Sequence, residues 1–275
     1  MDFLNVFGGT GFIGSAYLDR FGGIVNDRND YCPKLDDVLY FISTGDNYNV
    51  FDNLHLDIDT NLTTLMKVIG NIKNPEDTTF NFISSWFVYG DSGRGRLKED
   101  AYCNPKGFYS ITKRAAESLL ISYCETMGMK YRILRLANVI GPNDGKVSAK
   151  RNALQFLIEK LEKNEPVDLY EGGHVRRNFL YIDDCVDAIN LVLEKGATNE
   201  IYNIGNGISM EMLDVIQQAK ALLGSTSELR SIPTPEFHKV VQVRDIALDI
   251  DKLFDLGFDP KYPMPAMWLP KLLEK

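Results

Sequence analysis

Two short patterns hold residue types whose spacing could do chemistry. The first is Gly8-Gly9-Thr10-Gly11-Phe12-Ile13-Gly14. Glycines at 8, 11 and 14 let a backbone turn tightly, approach a pyrophosphate and pack a helix against a sheet. A helix opening there offers free N–H groups and a partial positive charge, so Gly8, Gly11, Phe12, Ile13 and Gly14 read as a dinucleotide phosphate cradle. The second pattern is Tyr109-Ser110-Ile111-Thr112-Lys113, with tyrosine and lysine four apart on one helix face. A phenol titrates near pH 10, too high for a base at neutral pH. An ammonium about 4 Å away favours the phenolate by up to roughly 4 kcal/mol at an effective dielectric of about 20. Such a tyrosine exchanges a proton with a sugar or alcohol hydroxyl while a hydride moves to a nicotinamide.

These residues need a scaffold, and the elements around them describe one. Phe3–Phe7 is a short apolar run ending in glycine, suited to a buried parallel strand. A helix over 12–21, a strand at Ile24-Val25, a strand over 38–42 and a helix over 60–72 follow. Next come a strand over 80–83, a long helix over 107–127 and a strand over 131–136. Strand and helix alternate, which predicts an α/β fold with a doubly wound parallel Rossmann sheet. The second half reads differently, with helices at 150–163, 183–194 and 209–223 and short strands near 167–170 and 201–204. Six prolines from Pro233 to Pro270 predict an irregular C-terminus. The division is residues 1–140 as the dinucleotide-binding domain and 141–275 as a smaller, intimately packed substrate lobe.

An acidic residue at the end of the second strand would hold the adenosine ribose. Asp27 lies 19 residues after Gly8 and points to NAD, whereas the adjacent Arg28 would suit the 2′-phosphate of NADP. Ser84-Ser85 ends the 80–83 strand, where ligands bind in doubly wound sheets.

Taken together, these motifs resemble the extended short-chain dehydrogenase/reductases of the nucleotide-sugar epimerase/dehydratase family. The resemblance runs through the glycine loop, Ser84-Ser85-Trp86-Phe87-Val88-Tyr89-Gly90, Asn104-Pro105, Tyr109/Lys113, the 135–142 segment, Arg177–Asp184 and Tyr202–Gly207, in the family's order. It implies that Ser85 and Tyr109 are catalytic, and that Lys113 binds the nicotinamide ribose and tunes Tyr109. It also places Ser43 at the cofactor and Ser85, Asn138, Arg177 and Arg244 at the substrate. Guanidinium groups match phosphate oxygens geometrically, which suits the two arginines. Asp183-Asp184 reads as a cap for the following helix.

The implied function is an NAD-dependent nucleotide-sugar epimerase, acting at C4 through a transient keto sugar. An NAD(P)-dependent nucleotide-sugar ketoreductase or dehydrogenase is the alternative, and a catalytically silent nucleotide-binding protein a third. Two departures matter. Ten residues separate Asp27 from the 38–42 strand, where the family has a further helix and strand. Trp86-Phe87 stands where the family's 4,6-dehydratases carry an Asp-Glu pair that eliminates water, which argues against dehydration.

Composition narrows the partners. The chain has 275 residues and 30 basic against 38 acidic side chains, a net charge of −8, which argues against a broad nucleic-acid surface. No apolar run is long enough to span a membrane, and Met1-Asp2-Phe3-Leu4 does not read as a leader, so a cytoplasmic protein is expected. Four scattered cysteines and three histidines without ligand spacing predict neither disulfide nor metal. Ala115, Ala116, Leu119, Leu120 and Tyr123 give the 107–127 helix more apolar surface than one face needs, and in the family this helix builds a homodimer.

Overall fold

The computed structural model describes residues 4–45, 47–90, 95–142, 144, 153–241 and 245–274. Arg244 lies outside them. The first half runs β1 (Leu4–Phe7), α1 (Phe12–Phe21), β2 (Ile24–Val25), β3 (Asp37–Tyr40), α2 (Asn49–Asp52), α3 (Leu56–Ile58), α4 (Thr64–Gly70), β4 (Thr79–Ser85), α5 (Phe108–Met127) and β5 (Lys130–Leu136). The second half runs β6 (Asn138–Ile140), α6 (Ala153–Glu162), β7 (Val167–Tyr170), β8 (Arg176–Tyr181), α7 (Ile182–Lys195), β9 (Glu200–Ile204), β10 (Ser209–Glu211), α8 (Met212–Leu223), β11 (Leu229–Ile232), α9 (Glu236–Val241), α10 (Asp251–Asp255) and α11 (Pro265–Leu273).

The main sheet has the order β2-β1-β3-β4-β5-β9 and is parallel throughout. Alternation along each strand sends neighbouring residues to opposite faces. Phe7, Val38, Tyr40, Phe82 and Ile133 pack with Leu65, Val68, Ala116 and Leu120 of α4 and α5. Val6, Leu39, Ile83 and Leu134 join the other core, with Tyr17 of α1 and Val186 and Ile189 of α7. The chain leaves β1 toward β2 and returns to the far side of β1 as β3. This switch point opens a crevice beyond the C-terminal ends of β1 and β3, the usual ligand position in such sheets.

The division at residue 140 is finer than expected. The strand near 201–204, read with the second lobe, pairs with β5 and completes the main sheet. Helix α7 packs on α1, where the Tyr17 hydroxyl donates to Asn190 Oδ1 at 3.1 Å. The remaining lobe holds the sheet β10-β8-β6 and the pair β11-β7. Three other expectations change. The 60–72 helix instead runs continuously from Leu56 to Gly70, with a wide π turn at Asp59–Thr63. The C-terminus is helical, because Pro265 sits in the first turn of α11, where no N–H donor is needed. Asp184 does not cap α7; its carboxylate accepts the backbone N–H groups of Lys261 and Tyr262 at 2.9 and 2.8 Å and anchors the C-terminal segment. Among the described residues, no helix is long and apolar enough to cross a membrane.

Helix α5 is clamped to the sheet by charge. Arg135 of β5 donates from Nε to Glu117 Oε1 at 3.0 Å and from Nη2 to Oε2 at 2.8 Å. Both side chains are buried, at 1% and 0% exposure. Removing one partner strands the other charge in the core. Glu117→Ala or Arg135→Met is therefore expected to lower stability by about 3–5 kcal/mol in urea unfolding, and the double variant by less than the summed singles. Additive losses below about 1 kcal/mol each would contradict the clamp.

Candidate active site

The loops beyond the sheet and the facing lobe enclose a cavity of about 640 Å3. Gly8, Gly11, Phe12, Ile13 and Gly14 enter it from the turn between β1 and α1, and Ser43 from the loop after β3. Ser85, Tyr109 and Lys113 line it from β4 and α5, and Asn138 and Arg177 from β6 and β8. Asp27 and Arg28 do not line it; they are exposed just beyond β2. Their loop is pinned from beneath instead. Asn5 Nδ2 donates to Asn26 Oδ1 at 2.6 Å, Asn26 Nδ2 donates to Cys32 O at 2.9 Å, and Lys34 N donates to Asn5 Oδ1 at 2.7 Å.

The glycine loop fits a dinucleotide. A Cβ on Gly14 would lie 2.5 Å from Gly8 O, and one on Gly8, at φ +82°, would lie 2.9 Å from Ile42 N. No side chain caps α1, so its N-terminal field is directed at the cavity.

Strand alternation separates the two serines. Ser84 Oγ donates to Glu117 Oε1 at 2.6 Å and braces the clamp. Ser85 Oγ accepts from Phe87 N at 3.3 Å and starts a short 3₁₀ turn, Trp86–Tyr89. Tyr109 is half-buried in the first turn of α5. The hydroxyl of Ser110 accepts from Gly107 N at 3.0 Å and donates to Gly107 O at 2.8 Å, which closes that helix end. Lys113, one turn on, is buried and donates from Nζ to Ile83 O at 2.6 Å. Burial, opposed by the charge of Glu117, pulls Lys113 down from 10.5 to about 7. Arg177 is buried too, and burial, opposed by Asp245, pulls it down to about 10.

Three features were not legible from residue spacing. Asn61, in the π turn, is buried and accepts from Ser43 Oγ at 3.1 Å and Thr44 N at 2.9 Å. Its amide donates to Thr112 Oγ1 at 2.9 Å, tying the β3 loop to the residue before Lys113. Across the cavity, the Tyr48 hydroxyl bonds His238 Nε2 of α9, and Phe237 lies between the rings of Tyr48 and Phe51 at 5.0 and 4.7 Å. The third is the set of contacts made by Trp86 and Phe87. Trp86 Nε1 donates to Asn138 Oδ1 at 3.2 Å, and Asn138 Nδ2 donates to Asn178 O at 3.1 Å.

The sequence pattern of the NAD dependent epimerase/dehydratase family matches residues 26–205. The chain is 27% identical over 257 residues to the low-salt glycan biosynthesis protein Agl12 of Haloferax volcanii, covering 90% of this chain and 80% of that protein. It is 33% identical over 190 residues to the dTDP-D-glucose 4,6-dehydratase of Mus musculus, covering 67% of this chain but only 52% of the mouse protein. Its fold superimposes on the UDP-glucose 4-epimerase of Thermotoga maritima, solved with UDP-glucose, with a TM-score of 0.87 at 22% identity. That superposition covers 99% of this chain and 97% of the other.

The depressed Lys113 sets a sign for stability against pH. The unfolded chain holds that proton up to about pH 10.5, whereas the folded chain holds it only to about 7. Between those values the unfolded state binds more protons, so this group's contribution makes stability rise with pH. Lys113→Met is expected to be stabilised relative to the parent most strongly below pH 7, with the gap in melting temperature closing toward pH 10. A gap independent of pH would contradict the burial.

Proposed function

The chain belongs to the NAD dependent epimerase/dehydratase family, and from that premise we propose that it is a nucleotide-sugar 4-epimerase acting by transient oxidation of a sugar hydroxyl. One observation carries the reading: Ser85, Tyr109 and Lys113 share a single cavity with the glycine loop. The resemblance adds that Trp86-Phe87 stands where the family's 4,6-dehydratases carry their Asp-Glu pair. NAD, when bound, supplies the hydride acceptor and donor. The glycine loop and the start of α1 would hold its pyrophosphate, with Ser43 and Lys113 further along the same wall.

The chain's own residues handle the proton. Tyr109 takes it from the sugar hydroxyl at its phenol oxygen and returns it after the keto sugar has turned. Ser85 Oγ donates to the reacting oxygen. Lys113 in its ammonium form holds down the proton affinity of Tyr109. Arg177 meets the diphosphate with a guanidinium already stripped of water, where its charge is most effective. Asn138 is held by Trp86 and by Asn178 O, which leaves one amide N–H for the substrate. A ketoreductase is the second reading. It draws support from the residue type of Arg28, whose guanidinium suits the 2′-phosphate of NADP, although Arg28 is exposed beyond β2 and outside the cavity lining.

Incubation with UDP-, dTDP-, GDP- and CDP-hexoses, followed by chromatography of the sugars, tests the proposal. The 4-epimer of one of them is expected to form without net oxidation. Tyr109→Phe should lower kcat by about 10²–10⁴-fold while leaving nucleotide affinity within about twofold. Full activity in that variant would contradict the assignment, and net consumption of NADPH would replace it with the reductase.

We assign the same protein a homodimeric, cytoplasmic state. Ala116 and Leu120 of α5 are buried, but Ile111 and Leu119 are 46% and 44% exposed on one stripe of the helix, two turns apart. The free cysteines are consistent with a reducing compartment. Size-exclusion chromatography at micromolar concentration is expected to give twice the chain's mass, and Leu119→Arg the chain's own mass. A parent chain that elutes as a monomer would overturn the dimer.

A further inference from the structure

We propose that Phe87, backed by Trp86, is the platform on which the pyranose ring of the substrate lies through its C–H face. The inference rests on the nucleotide-sugar reading above and adds the residue that positions the sugar.

The two rings are fixed before any ligand arrives. Ser85 caps the 3₁₀ turn that carries them, and Gly90 closes it at φ +56°, where a Cβ would fall 1.9 Å from Asn104 O. Trp86 is 2% exposed, and its indole N–H is held by Asn138. Phe87 stacks on it with centroids 4.0 Å apart and planes inclined by 24°. The ring of Phe87 then meets that of Tyr109 edge-on, at 6.0 Å and 83°. On the other side, the Arg177 guanidinium lies 5.7 Å from the Trp86 ring. One aromatic row thus runs from Arg177, at the phosphate end, to Tyr109, at the reacting end.

Phe87 is not simply core. From residue 81 to 90 every other side chain is buried, and Phe87 alone keeps partial exposure, into the cavity. A phenyl face offers no hydrogen bond to a hydroxyl and no counter-charge to a carboxylate. It does offer a negative π face to the weakly positive C–H groups along one side of a pyranose. A sugar laid there keeps its hydroxyls away from Phe87, and the row ends at the phenol oxygen that must reach one of them.

The test is equilibrium binding by calorimetry, independent of turnover. The probes are the matched pairs UDP and UDP-glucose, dTDP and dTDP-glucose, and GDP and GDP-mannose. In the parent chain one nucleotide-sugar is expected to bind more tightly than its own diphosphate. Phe87→Ala should weaken that nucleotide-sugar by about tenfold and the free diphosphate by less than about twofold. Phe87→Leu, which keeps apolar bulk but has no π face, should lose the same increment and guards against a folding artefact. Equal losses for sugar and diphosphate, or none for either, would overturn the platform and leave the nucleotide-sugar reading standing. Failure of every pair to bind the parent chain would overturn both.

Discussion

A carboxylate and a guanidinium removed from water hold the working parts of this protein in register. Glu117 sits one helical turn beyond Lys113, which is itself one turn beyond Tyr109, so fixing Glu117 fixes both. Arg135 grips it with two hydrogen bonds from β5, Ser84 adds a third from β4, and Arg114 a fourth at 2.9 Å. Such a pair adds little net stability over an apolar contact of similar volume; what it offers is geometric uniqueness, because a sliding helix would unpair a buried charge. The network extends outward. Arg135 lies 4.8 Å from the Tyr89 ring, and the Tyr89 hydroxyl donates to Asn203 of β9 at 2.6 Å. Asn203 in turn donates to Leu97 O and Asp249 O. The sixth strand and the loops beneath the site are thus tied to the same pair.

Above this clamp the cavity is built from two kinds of wall. Backbone makes the first, in a loop with no room for a Cβ at Gly8 or Gly14 and a helix start without a side-chain cap. Aromatic rings make the second, with Trp86, Phe87 and Tyr109 along one side and Tyr48, Phe237 and His238 bridging from the β3 loop to α9. Phosphate chemistry suits the first wall and sugar chemistry the second. Lys113 lies where they meet, with its proton affinity lowered by burial.

What was legible in the sequence follows from how local each constraint is. The glycine loop could be read because its requirement is local: a tight turn and close approach demand glycine at set spacings. Tyr109 and Lys113 could be read because helix periodicity alone puts them on one face. The resemblance singles out Ser85 from the sequence, but the task of Ser84, bracing Glu117, shows only once β4 is placed against α5. Nothing near Asn61 announces its burial, because its partners come from the β3 loop and α5. Glu117 and Arg135 are 18 residues apart, and nothing in either segment announces the pairing. The strand near 201–204 reads with the lobe in the sequence, because strand order is a long-range property. The prolines near the C-terminus suggested irregular chain where Pro265 in fact starts a helix. Asp27 and Arg28 were placed by counting from Gly8, but the short β2 and its pinned loop leave both outside the cavity lining.

The central claim is that one cavity holds a dinucleotide and a nucleotide-sugar together, with the cofactor regenerated in each cycle. It is tested most directly by denaturing freshly purified protein and identifying the released nucleotides by chromatography and mass spectrometry. The account predicts NAD or NADH in near-stoichiometric amount. A chain that releases no dinucleotide, and that fails to bind added NAD, would contradict it.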